Sequence, residues 1–237
     1  MNPCATAGCQ ESGRDVPSTA LGEFRRSQVW NDYTTSCILQ TCGNGAVRLQ
    51  INQSMSMKRR RVTTGQTPDG RSIIAADESV EALTVALAPG LECFPIWGAD
   101  QPIDLPHDGT KPATAGWFPP ERGFRFTILT IPPDGDSAVP ADMTAALAEA
   151  SMKLPGMIEA ADAKFPHMHS TDTIDFVVVL SGSLCLEVDD GKEVELSQGD
   201  SVIQNGTRHA WHNRSSAPCQ IVSATIGARR IRGAPPT

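Results

Sequence analysis

Four of the five histidines in this 237-residue chain stand in two tight groups, His167 with His169 and His209 with His212. The fifth, His107, lies apart in a loop rich in proline and glycine. Neutral imidazole is the commonest protein ligand for transition metals near neutral pH. Side chains two apart on a strand share a face, so a strand-rich scaffold can turn both groups toward one interior. A nearby carboxylate such as Asp175 would complete a set suited to iron, manganese, nickel or zinc. His212, three residues past His209, falls on the opposite strand face and reads as a surface residue. Arg208 could pair with Asp175 or with an acidic substrate.

Such a set needs strands, and the chain from Lys58 onward supplies them. "RRRVTTG", "TPDG" and "RSIIAAD" read as strand, turn and strand, and "ALTVALAPG" and "LECFPIWG" continue in that manner. Asp100 to Pro120 reads as a loop, and the aromatic residues flanking it, Trp97, Trp117 and Phe118, read as buried. Residues 124–133 alternate like a half-buried strand. Residues 142–163 read as helical, with Asp142 as N-cap and a break at Pro155-Gly156. "TIDFVVVLSG" is an apolar strand, and "SLCLEVDDGKEVELSQGD" is a hairpin around Asp190-Gly191. "SVIQNGTRHAWHN" and "CQIVSATIG" add further strands. Phe176, Val178, Leu180 and Trp211 read as core, and Gly182, Gly191, Gly199 and Gly206 as turn positions. Short strands about every eight to twelve residues, without long alternating helices, predict a β-sandwich or barrel and exclude a doubly wound parallel sheet.

Two of these segments, "PHMHSTDTIDFVVVLSG" and "GDSVIQNGTRHAWHN", resemble the paired motifs of the cupin superfamily. The first motif runs H-x-H, three or four residues, Glu, six residues, Gly; Asp175 takes the Glu position and Gly182 follows at the right distance. In the second motif Gly199 leads, Gly206, His209 and Asn213 match, and Gln204 replaces a proline. Counting back from Asp175 puts His169 in the first His position and Thr171 in the second. Pairing His167 with His169 instead leaves one extra residue before Asp175, and both alignments stay open. The likeness covers residues 165–227 and extends more weakly back to Lys58, where it is similar to small single-domain cupins.

The resemblance implies an all-β fold, a single cupin-type β-barrel (jelly-roll) with a short helix. It implies a divalent transition metal (Fe, Mn, Ni or Zn) held by His169, Asp175 and His209, with or without His167. His169, Asp175 and His209 would then be the catalytic residues. The implied activity is an oxidoreductase step on a small organic molecule in secondary-metabolite, polyketide-type biosynthesis. The alternatives are a non-redox decarboxylation or isomerisation at the same metal, and a barrel that binds a small ligand without turnover. A homodimer is also implied, with the edge segment from Lys58 to Asp77 as its candidate contact.

Composition narrows the partners. There are 27 acidic residues against 20 basic ones, and aromatics are 5%. An acidic chain without stacking platforms argues against nucleic acid and against an anionic membrane surface. No stretch reaches the roughly 20 apolar residues that span a bilayer, and no apolar leader stands at the N-terminus. The seven cysteines, an odd count, read as reduced thiols of a cytoplasmic protein. Cys4/Cys9 and Cys37/Cys42 form C-x4-C pairs, but no strand or helix pattern lies between them to build a zinc module, so they read as incidental. Residues 1–54 are polar and aperiodic, which predicts a disordered or poorly ordered extension ahead of a domain over 55–232. Translation could start at Met55 or Met57. There is no G-x-S-x-G elbow, Walker loop or G-x-G-x-x-G, so neither a serine hydrolase nor a nucleotide site is indicated.

Overall fold

Alternating apolar and polar residues make most of the regular structure here, and a computed structural model gives its arrangement. It describes residues 58–135 and 139–231, together with the backbone of two strands nearer the N-terminus. The chain divides into two units, Met1–Ser54 and Met55–Thr237. In the first unit, β1 (Cys37–Thr41) and β2 (Val47–Ile51) pair antiparallel, with Cys37 opposite Ile51. The expectations of a loose extension, incidental Cys4, Cys9 and Cys42 thiols and an internal start otherwise lie outside the described residues.

The second unit is built from antiparallel strands. β3 (Lys58–Gln66) and β4 (Ser72–Glu81) form a hairpin. A five-stranded sheet contains β5 (Glu92–Ala99), β6 (Phe124–Ile131), β7 (Thr173–Ser181), β10 (Ser201–Gln204) and β12 (Cys219–Gly227), in the order β10-β7-β12-β6-β5. A three-stranded sheet, β11-β8-β9, contains β8 (Ser183–Val188), β9 (Lys192–Ser197) and β11 (Ala210–His212). The sheets meet across one core. Val177, Val179 and Ile221 come from the larger sheet, and Leu184, Leu186 and Leu196 from the smaller, with Trp211 packed against them. The architecture is the expected all-β, cupin-type one, although hydrogen bonding does not close the sheets into a continuous barrel.

The helical segment divides where proline and glycine require it. α1 (Met143–Lys153) starts at Asp142, whose side chain accepts from the Ala145 N–H, and α2 (Met157–Ala160) follows Pro155-Gly156. Ala146, Ala150 and Leu154 are buried, and the last two pack with Val85 and Cys93. This explains one departure from expectation. "ALTVALAPG" is not a strand beyond the single bridge from Leu83 to Cys93. It is a turn tied to α1, where Glu149 accepts from the Ala86 N–H and Lys153 donates to the Thr84 carbonyl.

A second departure concerns β7. Val177 and Val179 face the core, so alternation turns Phe176, Val178 and Leu180 outward, at 44%, 36% and 38% exposure. They are not core residues. Gly182, which ends β7, has φ of +80°, and a Cβ there would stand 3.0 Å from the Cys219 backbone. Only glycine suits that corner.

Candidate active site

The inner face of the five-stranded sheet changes character along the strands. One row across it, Val179–Ile221–Leu129–Cys93, is apolar. The next, Val202–Val177–Ser223–Thr127–Pro95, mixes hydroxyls with aliphatic groups. The third, Gln204–Asp175–Thr225–Arg125–Gly98, is polar. Arg125 is buried; its guanidinium is saturated by Asp100 and the carbonyls of Ala99, Gly116 and Phe124. Gly98 leaves room for it, since a Cβ there would come within 2.8 Å of Arg125 Cδ. At this edge Trp97, Trp117, Arg125 and Thr127 line a cavity of about 50 Å³. Trp97 and Trp117 are half-buried, in keeping with their expected burial.

Asp175 lies in the polar row. Burial raises its carboxyl above the ordinary range, opposed by hydrogen bonds from the Thr173 and Thr225 hydroxyls. Its Oδ1 is buried without a hydrogen-bond partner, and so is Nε2 of Gln204 directly across from it. Buried polar atoms are normally paired, so these two point to a water or ligand between the sheets.

His169 and His209 stand just ahead of β7 and β11 in the chain. They form an isolated antiparallel bridge, and their ring centroids are 4.2 Å apart. His209 is 2% exposed, and its ring meets Trp211 edge-on. Its Nδ1 lies 2.9 Å from the Thr207 carbonyl, which can only accept, so Nδ1 carries the proton and the lone pair is left on Nε2. Burial, and then the charge of His209, pushes the His169 ring down to about 4. Burial also lowers His209, opposed by the Thr207 carbonyl. Both rings are therefore uncharged at neutral pH. Thr171 and Thr173, buried and with hydroxyl oxygens 2.6 Å apart, stand between His169 and Asp175 along the chain.

The expected ligand set assembles only in part. His169 and His209 come together. Asp175 does not close a three-ligand group with them within 4.8 Å among the described residues. It lies on β7 between β10 and β12, six residues after His169 in the chain. His167 is exposed in a turn, and its ring neighbours are Phe165 and His212. Thr171, buried on the chain between His169 and Asp175, occupies the other position that the motif spacing allowed. Arg208 pairs with Asp162 and Asp189 rather than with Asp175.

One polar group went unread in the sequence. Glu187, Glu193 and His212 bring ligand atoms within 4.8 Å of one another on the outer face of the smaller sheet. His212 is half-buried there; its Nε2 lies 2.7 Å from Glu187, and its Nδ1 lies 3.7 Å from Asp134. Glu193 is engaged by both terminal nitrogens of Arg214. The signal was the hairpin: counting outward from Asp190 sets Glu187 directly opposite Glu193. Two like charges in register require a cationic neighbour.

Residues 157–225 match the cupin domain family. The Phomopsin biosynthesis cluster proteins C' and D of Diaporthe leptostromiformis are each 43% identical over 65 residues, 27% of this chain and 34% of theirs. The Oryzines biosynthesis cluster protein J of Aspergillus oryzae is 46% identical over 50 residues, 21% of this chain and 28% of that protein. The matched segment thus spans about a third of the length of these curated relatives. Among solved structures, the polyketide cyclase RemF from Streptomyces resistomycificus aligns over 62% of this chain and 72% of its own, at 18% identity and a TM-score of 0.35. With His169 and His209 in contact, residues 157–225 carry this chain's likeness to the cupin domain family.

Proposed function

We propose that this chain is an enzyme of secondary-metabolite biosynthesis that transforms a small organic molecule between its two sheets, at the His169–His209 pair. The observation that carries the reading is that pair: two uncharged imidazoles 4.2 Å apart, with the Nε2 lone pair of His209 free. The relatives from two biosynthesis clusters support the pathway class.

The donors fit a divalent transition metal, since neutral imidazole with open neighbouring positions suits iron, manganese, nickel or zinc. His169 and His209 would hold the ion, and bound there it would supply a Lewis acid with room for substrate. The Thr207 carbonyl fixes the His209 tautomer and orients its ring, as partners of metal-binding histidines commonly do. Asp175 and Gln204 offer hydrogen bonds to a substrate, and the apolar row beyond Val177 excludes water from its far side. An oxidative step is the leading reading.

A second reading draws on Asp175. A carboxyl whose pKa is raised by burial can hold and deliver a proton, which suits a non-redox isomerisation or decarboxylation. Oxygen uptake coupled to substrate loss separates the two.

The deciding experiment is metal analysis of untagged protein by plasma mass spectrometry, beside a His169→Ala, His209→Ala double variant. Roughly one metal per chain, lost in the double variant, is expected of a two-imidazole site. Protein that refuses iron, manganese, nickel and zinc would overturn the metal-dependent reading. Metal retained by the double variant but lost on Glu187→Gln would move the site to the outer face.

A further inference from the structure

Asp175 and Gln204 are paired residues of β7 and β10, on the inward face that also carries Val177 and Val202. Gln204 is 4% exposed. Its Nε2 has no acceptor, and Asp175 Oδ1 has no donor, although the two residues stand directly opposite each other. Neither atom bonds the other, so each calls for a third group. The carboxyl is held in place from behind. The Thr173 and Thr225 hydroxyls hydrogen-bond it, and they are themselves 2.6 Å from the Thr171 hydroxyl and 3.1 Å from that of Ser223. An unpaired buried donor and an unpaired buried acceptor side by side are costly in a fold, and they are complementary to one ligand group.

We infer that this couple recognises a hydroxyl group of the substrate: an alcohol, phenol or enol carried on an apolar frame. The inference rests on the proposed reading that a small organic molecule is transformed between the two sheets. Counting donors and acceptors selects the group. Gln204 Nε2 only donates. Asp175 Oδ1 accepts when the carboxyl is ionised and donates when it carries the proton. A hydroxyl has one O–H and two lone pairs, so it satisfies both atoms in either state. A carbonyl or ether oxygen only accepts, which leaves an ionised Asp175 unpaired. An ammonium only donates, which leaves Gln204 unpaired, and a carboxylate brings a like charge to Asp175. The neighbouring rows set the rest of the molecule. Val177 and Val202 stand next to the couple, and Val179, Ile221 and Leu129 lie beyond them, so the carbon frame extends over aliphatic surface. An analogue without the hydroxyl strands at least one buried polar atom, the strongest basis a site has for rejecting a close relative of its substrate.

Calorimetric titration of phenol, anisole and toluene into the full chain as purified tests this. The three probes share a ring, and only phenol both donates and accepts. Phenol should bind roughly 10-fold more tightly than anisole, with toluene weakest. Gln204→Leu, close in size and apolar, should weaken phenol by roughly 10-fold and leave toluene unchanged or tighter. Circular dichroism confirms that the variant folds, and the comparison of probes in the wild type stands without it. A metal held by the imidazoles would also favour phenol, so the titration is repeated on the His169→Ala, His209→Ala variant, where the preference for phenol should persist. Phenol binding no tighter than anisole, no saturable phenol binding, or phenol and toluene changing alike in Gln204→Leu overturns the inference. So does a preference lost with the two histidines, which leaves the metal-dependent reading intact. Preference for phenol in protein that takes up no metal supports the hydroxyl couple while that reading falls.

Discussion

His169 and His209 each donate the backbone N–H to the other's carbonyl, both at 2.9 Å. This reciprocal pair holds the two rings side by side whatever their protonation or ligation, so the donor pair is built by the backbone. Metal binding should therefore stabilise the folded chain without rearranging it. At a free metal concentration 100 times Kd, the gain is about 2.7 kcal/mol, read as a higher melting temperature that chelation reverses. The His169→Ala, His209→Ala variant should melt at one temperature with or without metal. A metal-dependent shift persisting in that variant would sink the assignment.

Acid should destabilise the metal-free protein in a defined window. His169 is held at about 4 when folded, against 6.5 as its ordinary value. Between those values the unfolded chain binds a proton that the folded one refuses, so stability is complete above 6.5 and falls as pH drops toward 4. The interval corresponds to about 3 kcal/mol. His209 acts in the same direction, since burial lowers it too. Asp175 acts oppositely just above 3.8, because burial raises its pKa and the folded chain keeps the proton longer. Denaturant midpoints measured against pH should show the slope, and His169→Ala should flatten it.

Asn213 is fully buried and has every polar atom engaged. Its Nδ2 donates to the Ile131 and Ala217 carbonyls, both at 2.9 Å, and its Oδ1 accepts from the Ser215 N–H and hydroxyl. Asn213→Ala would orphan two carbonyls and loosen the turn between β11 and β12. The expected loss is about 2 kcal/mol or more in urea unfolding, with His169–His209 metal affinity little changed. A stability loss below 0.5 kcal/mol, the scale of an ordinary surface change, would contradict this role.

Gly227 closes β12 against the turn at Pro120. A Cβ there would stand 1.7 Å from the Pro120 carbonyl oxygen, which backbone cannot yield. Gly227→Ala should cost about 2 kcal/mol or more. Gly135→Ala is not an equivalent control, because Gly135 has φ of +88°. Ala115→Gly, in an exposed loop, is a milder comparison. Equal melting temperatures for Gly227→Ala and wild type would refute the steric account.

The sequence shows strands best where one face is polar. β8, β9 and β12 lie where their alternation puts them, and so does the hairpin at Asp190-Gly191. β7 was legible as a strand but not by face. "TIDFVVVLS" is apolar on both sides through its middle, so parity could not tell Val177 from Phe176. "ALTVALA" reads as a strand and is a turn, because a short apolar run looks alike in a strand and in a turn packed on a helix. At the site, spacing sufficed for His169 and His209, which a single bridge unites. Whether Asp175 converged with them depended on the course of the chain through Thr171 and Thr173, which no spacing rule encodes. Arg208 found Asp162 and Asp189, partners set by tertiary proximity alone.

The graded inner face has an evolutionary consequence. The apolar row through Val179, Ile221 and Leu129 carries the folding contacts, while the row through Gln204, Asp175 and Thr225 carries hydroxyl, amide and carboxyl groups. Substitutions at the polar end, where the proposed substrate would sit, leave untouched the aliphatic contacts that fold the domain. Selection can therefore diversify chemistry at one end of the same strands while conserving the scaffold at the other.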